Sequence, residues 1–160
     1  DKSLRIGDFV ELADGLLGEV REINIRSTLL RTLDNADIIV PNADFISSQV
    51  NNWTLNDDIR RFSISFSVAY GSDLEQVREA GLKAAEEVPI TLKRENIMPD
   101  VLVTELGASG IECILTIWAQ GEWVKRPGWV KSQYLTAIYN NLRTAEIEIP
   151  FPQMDVHMRS

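Results

Sequence analysis

Cysteine is nearly missing from this sequence, with Cys113 the only one. No disulfide can therefore form within the chain, which fits a reducing compartment. A thiol inside the apolar alternating run 111–119 reads as a small buried hydrophobe rather than a reactive group. Histidine is equally scarce. His157 stands alone near the chain end and reads as a packed or frayed tail residue. One histidine there leaves no credible Ser-His-Asp set, and no HExxH, CxxC or EF-hand spacing occurs. Gly15-Leu16-Leu17-Gly18 matches neither the phosphate-loop nor the dinucleotide fingerprint. No cofactor or metal is expected, and the chain does not read as an enzyme. Positive charge is in deficit, 16 Lys and Arg against 24 Asp and Glu, for a net charge of -8. Such a chain repels phosphate backbones, so nucleic acid is not an expected partner, and it gains nothing at anionic lipid. No apolar run approaches the roughly 20 residues that span a bilayer, and no signal peptide is visible. A start at Asp1, without methionine, fits a fragment or a processed product.

What is present is an ordinary globular composition, 44% hydrophobic and 25% charged in 160 residues, enough for one domain or two small ones. The first third is strand-like and turn-rich. Residues 6–12 alternate, Asp14-Gly15 marks a turn, and strands are expected around Val20 to Ile25, Thr28 to Leu33 and Asp37 to Val40. Asp34-Asn35 is a tight-turn signal and Pro41-Asn42 ends the fourth strand. Short strands at this spacing predict a small barrel or sandwich over residues 1–56. A domain that small, without disulfide or metal, gains stability most readily by oligomerising. Asn51 to Asp58 is polar and turn-like and marks a boundary, with Trp53 able to pin the joint.

Beyond it the pattern changes. Phe62, Ile64, Phe66 and Val68 alternate with serines as a half-buried strand. Ser72-x-x-Glu75 has capping-box spacing, and Leu74, Val77, Gly81, Ala84 and Val88 recur at helical intervals. Gly81 costs a helix roughly 1 kcal/mol relative to Ala, so a close approach of helix to sheet is the expected reason for it. Strands are expected over 101–106 and 111–119, where Ile111, Cys113, Leu115 and Ile117 share a face. A loop over 121–128, a second helix from Trp129 to Leu142 and a short strand over 146–149 follow. Strand, helix, strand, strand, helix, strand is the ferredoxin-like order, expected over 57–150 and silent about function. Pro150-Phe151-Pro152 then forces extended backbone. Met154, Val156 and Met158 alternate with polar residues as one further strand, over 151–160, whose edges would be removed by pairing with copies of itself.

Three polar groups stand out. Arg26-Ser27-Thr28 with Arg31, Thr32 and Asp34 reads either as contacts between neighbouring subunits or as ordinary exposed strand positions. Arg60-Arg61 reads either as a charged opening that ions pass or as a solvated strand end. Pro41-Asn42 reads as a fixed turn at an interface or as plain turn chemistry. The acidic pair Glu86-Glu87 reads as a solvated helix face.

Ordered along the chain are Ile6-Gly7-Asp8-Phe9-Val10-Glu11, Gly18-Glu19-Val20, residues 25–32, Asp34-Asn35 through Ile39-Val40-Pro41-Asn42, Asn52-Trp53, residues 68–73, residues 105–109 and residues 149–153. This ordered set resembles the cytoplasmic part of small-conductance mechanosensitive (MscS-family) channels, over nearly the whole chain. The stretches 53–57 and 69–73 are more similar to the larger, multi-helix members. The resemblance implies an Sm-like β domain, a ferredoxin-like α/β domain and a C-terminal strand that joins six others in a parallel barrel, as a homoheptamer. It implies side portals near which Arg60, Arg61 and Ser63 fall. Subunit contacts would come from Arg26, Ser27, Thr28, Arg31 and Asn42, and from Met154, Val156 and Met158 in the barrel. It implies a cytoplasmic vestibule at the bacterial inner membrane, passing ions and small solutes during hypoosmotic shock. Family members carry their membrane helices before the Ile-Gly-Asp segment, where only five residues stand here, so gate and lipid contacts lie outside these residues. A soluble oligomeric module that binds a small ligand is the competing expectation. An Sm-type RNA binder is a third, opposed by the acidic charge.

Overall fold

The computed structural model describes residues 4–160. Two compact units emerge. One runs to Arg60 and takes in Gln120–Arg126; the other holds Arg61–Ala119 and Pro127–Ser160.

The first unit carries β1 (Phe9–Glu11), β2 (Leu17–Ile23), β3 (Ser27–Thr32), β4 (Asp37–Pro41), helix α1 (Asn42–Ser47) and β5 (Asn51–Asn52). Its antiparallel sheet runs β4-β3-β2-β1-β5, so β5 returns to pair beside β1. Turn chemistry fixes the meander. Gly15 (φ 88°) turns β1 into β2, and Asn35 (φ 64°) turns β3 into β4, where Thr32 takes the Asn35 and Ala36 amides. Val10, Val20, Leu30 and Val40, one from each of four strands, form the core, packed by Leu4, Leu12, Ile38, Phe45 and Val50. A register shift between Val20 and Glu22 breaks the even beat of β2, which is why its sequence alternates poorly. The six-residue α1 was not foreseen, because Pro41 reads as a stop; in the chain it sits at the N-cap position.

In the second unit β6 (Ile59–Val68, whose first two residues belong to the first unit), α2 (Leu74–Glu87), β7 (Asp100–Leu106), β8 (Ile111–Gln120) and α3 (Pro127–Thr144) build a three-stranded sheet, order β6-β8-β7, with α2 packed on α3 and on β7. Ile64, Val68, Val77, Ala84, Cys113, Leu115, Ile117, Tyr134 and Leu142 are buried between them. The helix–sheet approach expected at Gly81 is real: a Cβ there would lie 2.6 Å from Val101 Cγ2.

Two local expectations are corrected. The α2 cap is Asp73, whose carboxylate accepts from the Glu75 and Gln76 amides, and not Ser72. The Ser72 hydroxyl turns back to Ala69 O, closing the turn at Gly71 (φ 93°), so the helix starts one residue later. Residues 146–149 form no strand. Glu146 (φ 57°) ends α3, with Glu146 N–H donating to Arg143 O and Ile147 N–H to Leu142 O. Pro150 and Pro152 then remove two ladder donors, and an Ala69 N–H to Glu148 O bond joins the segment to the end of β6. Residues 151–160 hold no regular element in the single chain and are exposed throughout.

Candidate functional site

At the base of β6 the two adjacent arginines have different surroundings. The Arg60 guanidinium lies over the Trp53 ring, 3.4 Å from its centroid. Trp53 in turn meets Phe9 edge-on at 5.1 Å and donates its indole N–H to Glu11 Oε1 at 3.3 Å. Burial lowers the Arg60 pKa and the Glu11 carboxylate opposes that, so the guanidinium stays charged. The cation–π stack therefore holds Arg60 to its own unit. Arg61 and Ser63, on alternate positions of β6, are exposed.

The turn leading into β1 holds a network absent from the sequence reading. The buried Asp8 carboxylate accepts from Asn52 Nδ2 (2.8 Å), Thr54 Oγ1 (2.8 Å) and the Arg5 amide (2.9 Å). Burial pushes its pKa up, but those hydrogen bonds and the Arg5 charge together outweigh it and hold the carboxyl below the ordinary aspartate value. Arg5 also donates to Thr54 O and Leu55 O, pinning the stretch that follows β5. Asp8 lies 44 and 46 residues from its two side-chain donors. Only the Ile-Gly-Asp and Asn-Trp-Thr segments taken together could have indicated the contact.

Of the expected interface residues, the structure brings four together. Thr28 is buried and donates its hydroxyl to Asn42 Oδ1 at 2.7 Å; Asn42 Nδ2 reaches Asn24 O and Ile25 O, and the Asn42 amide reaches Arg26 O. Ser27 pairs with Pro41 in the ladder. This network fixes the β2–β3 hairpin tip against the start of α1 and leaves Arg26 and Ile25 exposed, Ile25 by 97%. Arg31 stands apart, in a paired fork on Asp37 (2.9 and 3.4 Å). Met154, Val156 and Met158 are exposed on the tail.

The second unit has an apolar groove of about 560 Å³ beside β6, lined by Phe66, Leu135, Ile138, Leu142, Ile149 and Phe151 among others. Glu112, bonded by Ser67 at 2.6 Å, stands at its polar side. Gly110 is required here, since a Cβ would lie 2.6 Å from Pro150 and 2.8 Å from Val68 O. Burial raises the Cys113 thiol, as does Glu112. The buried Tyr134 hydroxyl, also raised by burial, bonds Thr91. Neither lines the groove. Among the described residues no group of three or more His, Cys, Asp or Glu is placed to hold a metal, and no helix is long and apolar enough to cross a membrane.

Comparison with known proteins then assigns the chain. Residues 1–55 match the family described as mechanosensitive ion channel, beta-domain, and residues 62–149 match mechanosensitive ion channel MscS, C-terminal. Mechanosensitive channel MscK of Escherichia coli is 36% identical over 160 residues, which is 100% of this chain and 14% of that protein. An MscS family protein of Archaeoglobus fulgidus is 36% identical over 96% of this chain and 52% of its own length. The crystal structure of Helicobacter pylori MscS in its closed state is similar with a TM-score of 0.84 at 29% identity, over 98% of this chain and 60% of that one. The chain thus spans about half, or far less, of the length of these curated relatives. Two adjacent family matches in chain order, on a β unit followed by an α/β unit, establish that this chain belongs to the MscS family of mechanosensitive ion channels.

Proposed function

We propose that this chain forms the cytoplasmic vestibule of a tension-gated channel in the bacterial inner membrane, passing ions and small solutes on hypoosmotic shock. The observation that carries this reading is the likeness to the closed Helicobacter pylori MscS over 98% of the chain, with both family matches in the same order. Self-association is part of the reading, as a homoheptamer in the complete channel. The β2–β3 hairpin tip fits it by presenting Arg26 and a nearly bare Ile25 beside the fixed Thr28–Asn42 pair. Met154, Val156 and Met158 would pair with the same residues of other copies, which removes their exposure. Ions would pass side openings lined by the start of β6. In that role Arg61 and Ser63 supply the exposed groups, while Arg60, stacked on Trp53, holds the edge in place.

A chimera tests this. The membrane helices of Helicobacter pylori MscS are joined to residues 1–160 in place of its own matching segment, and membrane patches from a channel-deficient bacterium are put under suction. Tension-gated current and survival of osmotic downshock are expected. A chimera that reaches the membrane as an oligomer, yet passes no current where the unaltered parent channel does, overturns the reading.

A further inference from the structure

We infer that residues 120–126 act as a strap coupling the two compact units, fastened by the Lys125–Glu19 ion pair. The chain leaves the second unit after Ala119, near the end of β8, joins the first unit for Gln120–Arg126, and returns at Pro127, the first residue of α3. A connection of two to six residues could join a strand to a helix without such an excursion. The excursion is built to stay docked. Val124 is fully buried. Gly121 (φ 68°) donates its amide to Asp58 O at 3.2 Å, and Asp58 lies two residues before Arg60, where the chain crosses between the units for the first time. Lys125 Nζ meets Glu19 Oε1 of β2 at 3.2 Å and Glu122 Oε2 at 3.4 Å, and Arg21 shares Glu19 at 3.4 Å. The Lys125 and Glu19 side chains are only 19% and 28% exposed, so removing one partner leaves a partly desolvated charge with only a more exposed neighbour, Glu122 for Lys125 and Arg21 for Glu19.

All three crossings of the chain are thus tied to one docked segment. No free linker separates the strap from β8 on one side or α3 on the other, so a shift of the strap on the β unit pulls on both elements of the second unit. This inference goes beyond the channel reading and does not depend on it.

Hydrogen exchange on the 160-residue chain tests it, comparing the parent with Glu19→Gln, Lys125→Met and the double variant. Each single variant is expected to speed exchange of amides 121–126 by about tenfold, and with them the hydrogen-bonded amides 131–134 of α3. The double variant is expected to stay near about tenfold rather than the product of the two, because both changes remove one pair. Amides of β3 keep parent rates, which marks the β unit as folded. If Glu19→Gln disturbs β3 itself, Lys125→Met, which lies off the sheet, decides the matter alone. Faster exchange in 121–126 with 131–134 unchanged overturns the coupling, and unchanged exchange in 121–126 overturns the fastening.

Discussion

The Arg60 guanidinium carbon lies over the Trp53 ring, while Arg61 one position on is exposed. A stacked, partly desolvated cation contributes roughly 1–2 kcal/mol. Arg60→Ala should therefore lower the unfolding free energy read from urea melts by that amount, and Arg60→Lys should recover only part, because an ammonium lacks the planar face. Arg61→Ala should stay within about 0.5 kcal/mol of the parent yet move the reversal potential of the chimera toward cations. If Arg60→Ala also leaves stability unchanged, the stack is incidental. Asp8 gives a second test. Its folded pKa is depressed, so its contribution is full above the unfolded value near 3.8 and is lost as pH falls through the folded value. Asp8→Asn should cost most at neutral pH, and its deficit should shrink below about pH 4, read as urea midpoints against pH. An equal deficit at pH 7 and pH 3 would mean that the charge does not matter. The two arginines could not be told apart in sequence, because what separates them is a ring that reaches Arg60 alone. Asp8 was visible only as part of a motif, since its partners lie on β5 and just beyond it.

Secondary-structure elements were legible where one periodicity held over many residues. The alternation of Phe62 to Val68 and the helical spacing from Leu74 to Val88 placed β6 and α2 within three residues of the chain's own bounds. They were illegible where a contact decided the outcome, as at the backward turn of Ser72 or the ending of α3. Two glycine-related substitutions use this. Gly81→Ala improves intrinsic helix propensity but drives a Cβ into Val101 at 2.6 Å. A packed core resists that by about 1–3 kcal/mol, so the variant should melt lower despite the better helix former. Glu146 holds a left-handed backbone at the end of α3, with the Leu142 and Ile147 side chains both buried beside that turn. Glu146→Gly should raise stability by about 0.5–1 kcal/mol, since glycine removes the Cβ penalty at a slight cost in chain entropy. A rise in melting temperature for Gly81→Ala, or a fall for Glu146→Gly, would contradict these accounts.

At the scale of the whole molecule, apolar side chains remain uncovered in each unit. Ile25, Ile39 and Ile46 stand out from the first, and Phe151, Met154, Val156 and Met158 line the tail of the second. Scattered exposed apolar residues are ordinary, but a run that alternates along one unpaired segment fits the proposed pairing with other copies. Among the described residues the tail makes little use of its own chain: the hydrogen bonds beyond Pro152 are Gln153 N–H to Ser109 Oγ at 3.1 Å and Gln153 back to Phe151 O. Removing residues 153–160 should therefore leave the unfolding free energy of the single chain within about 1 kcal/mol of the parent, the worth of one exposed hydrogen bond. The same deletion in the chimera should weaken the assembly if the proposed pairing of tails holds it, since each copy would then lose three apolar side chains and the ladder hydrogen bonds of that pairing. Sedimentation of the solubilised chimera across a urea series reads this directly: the truncated assembly should dissociate at lower urea than the intact one. Equal dissociation would place the holding contacts elsewhere, in the β unit or the membrane helices. A large drop in single-chain stability would mean that the tail belongs to the fold of one copy rather than to the joining of several.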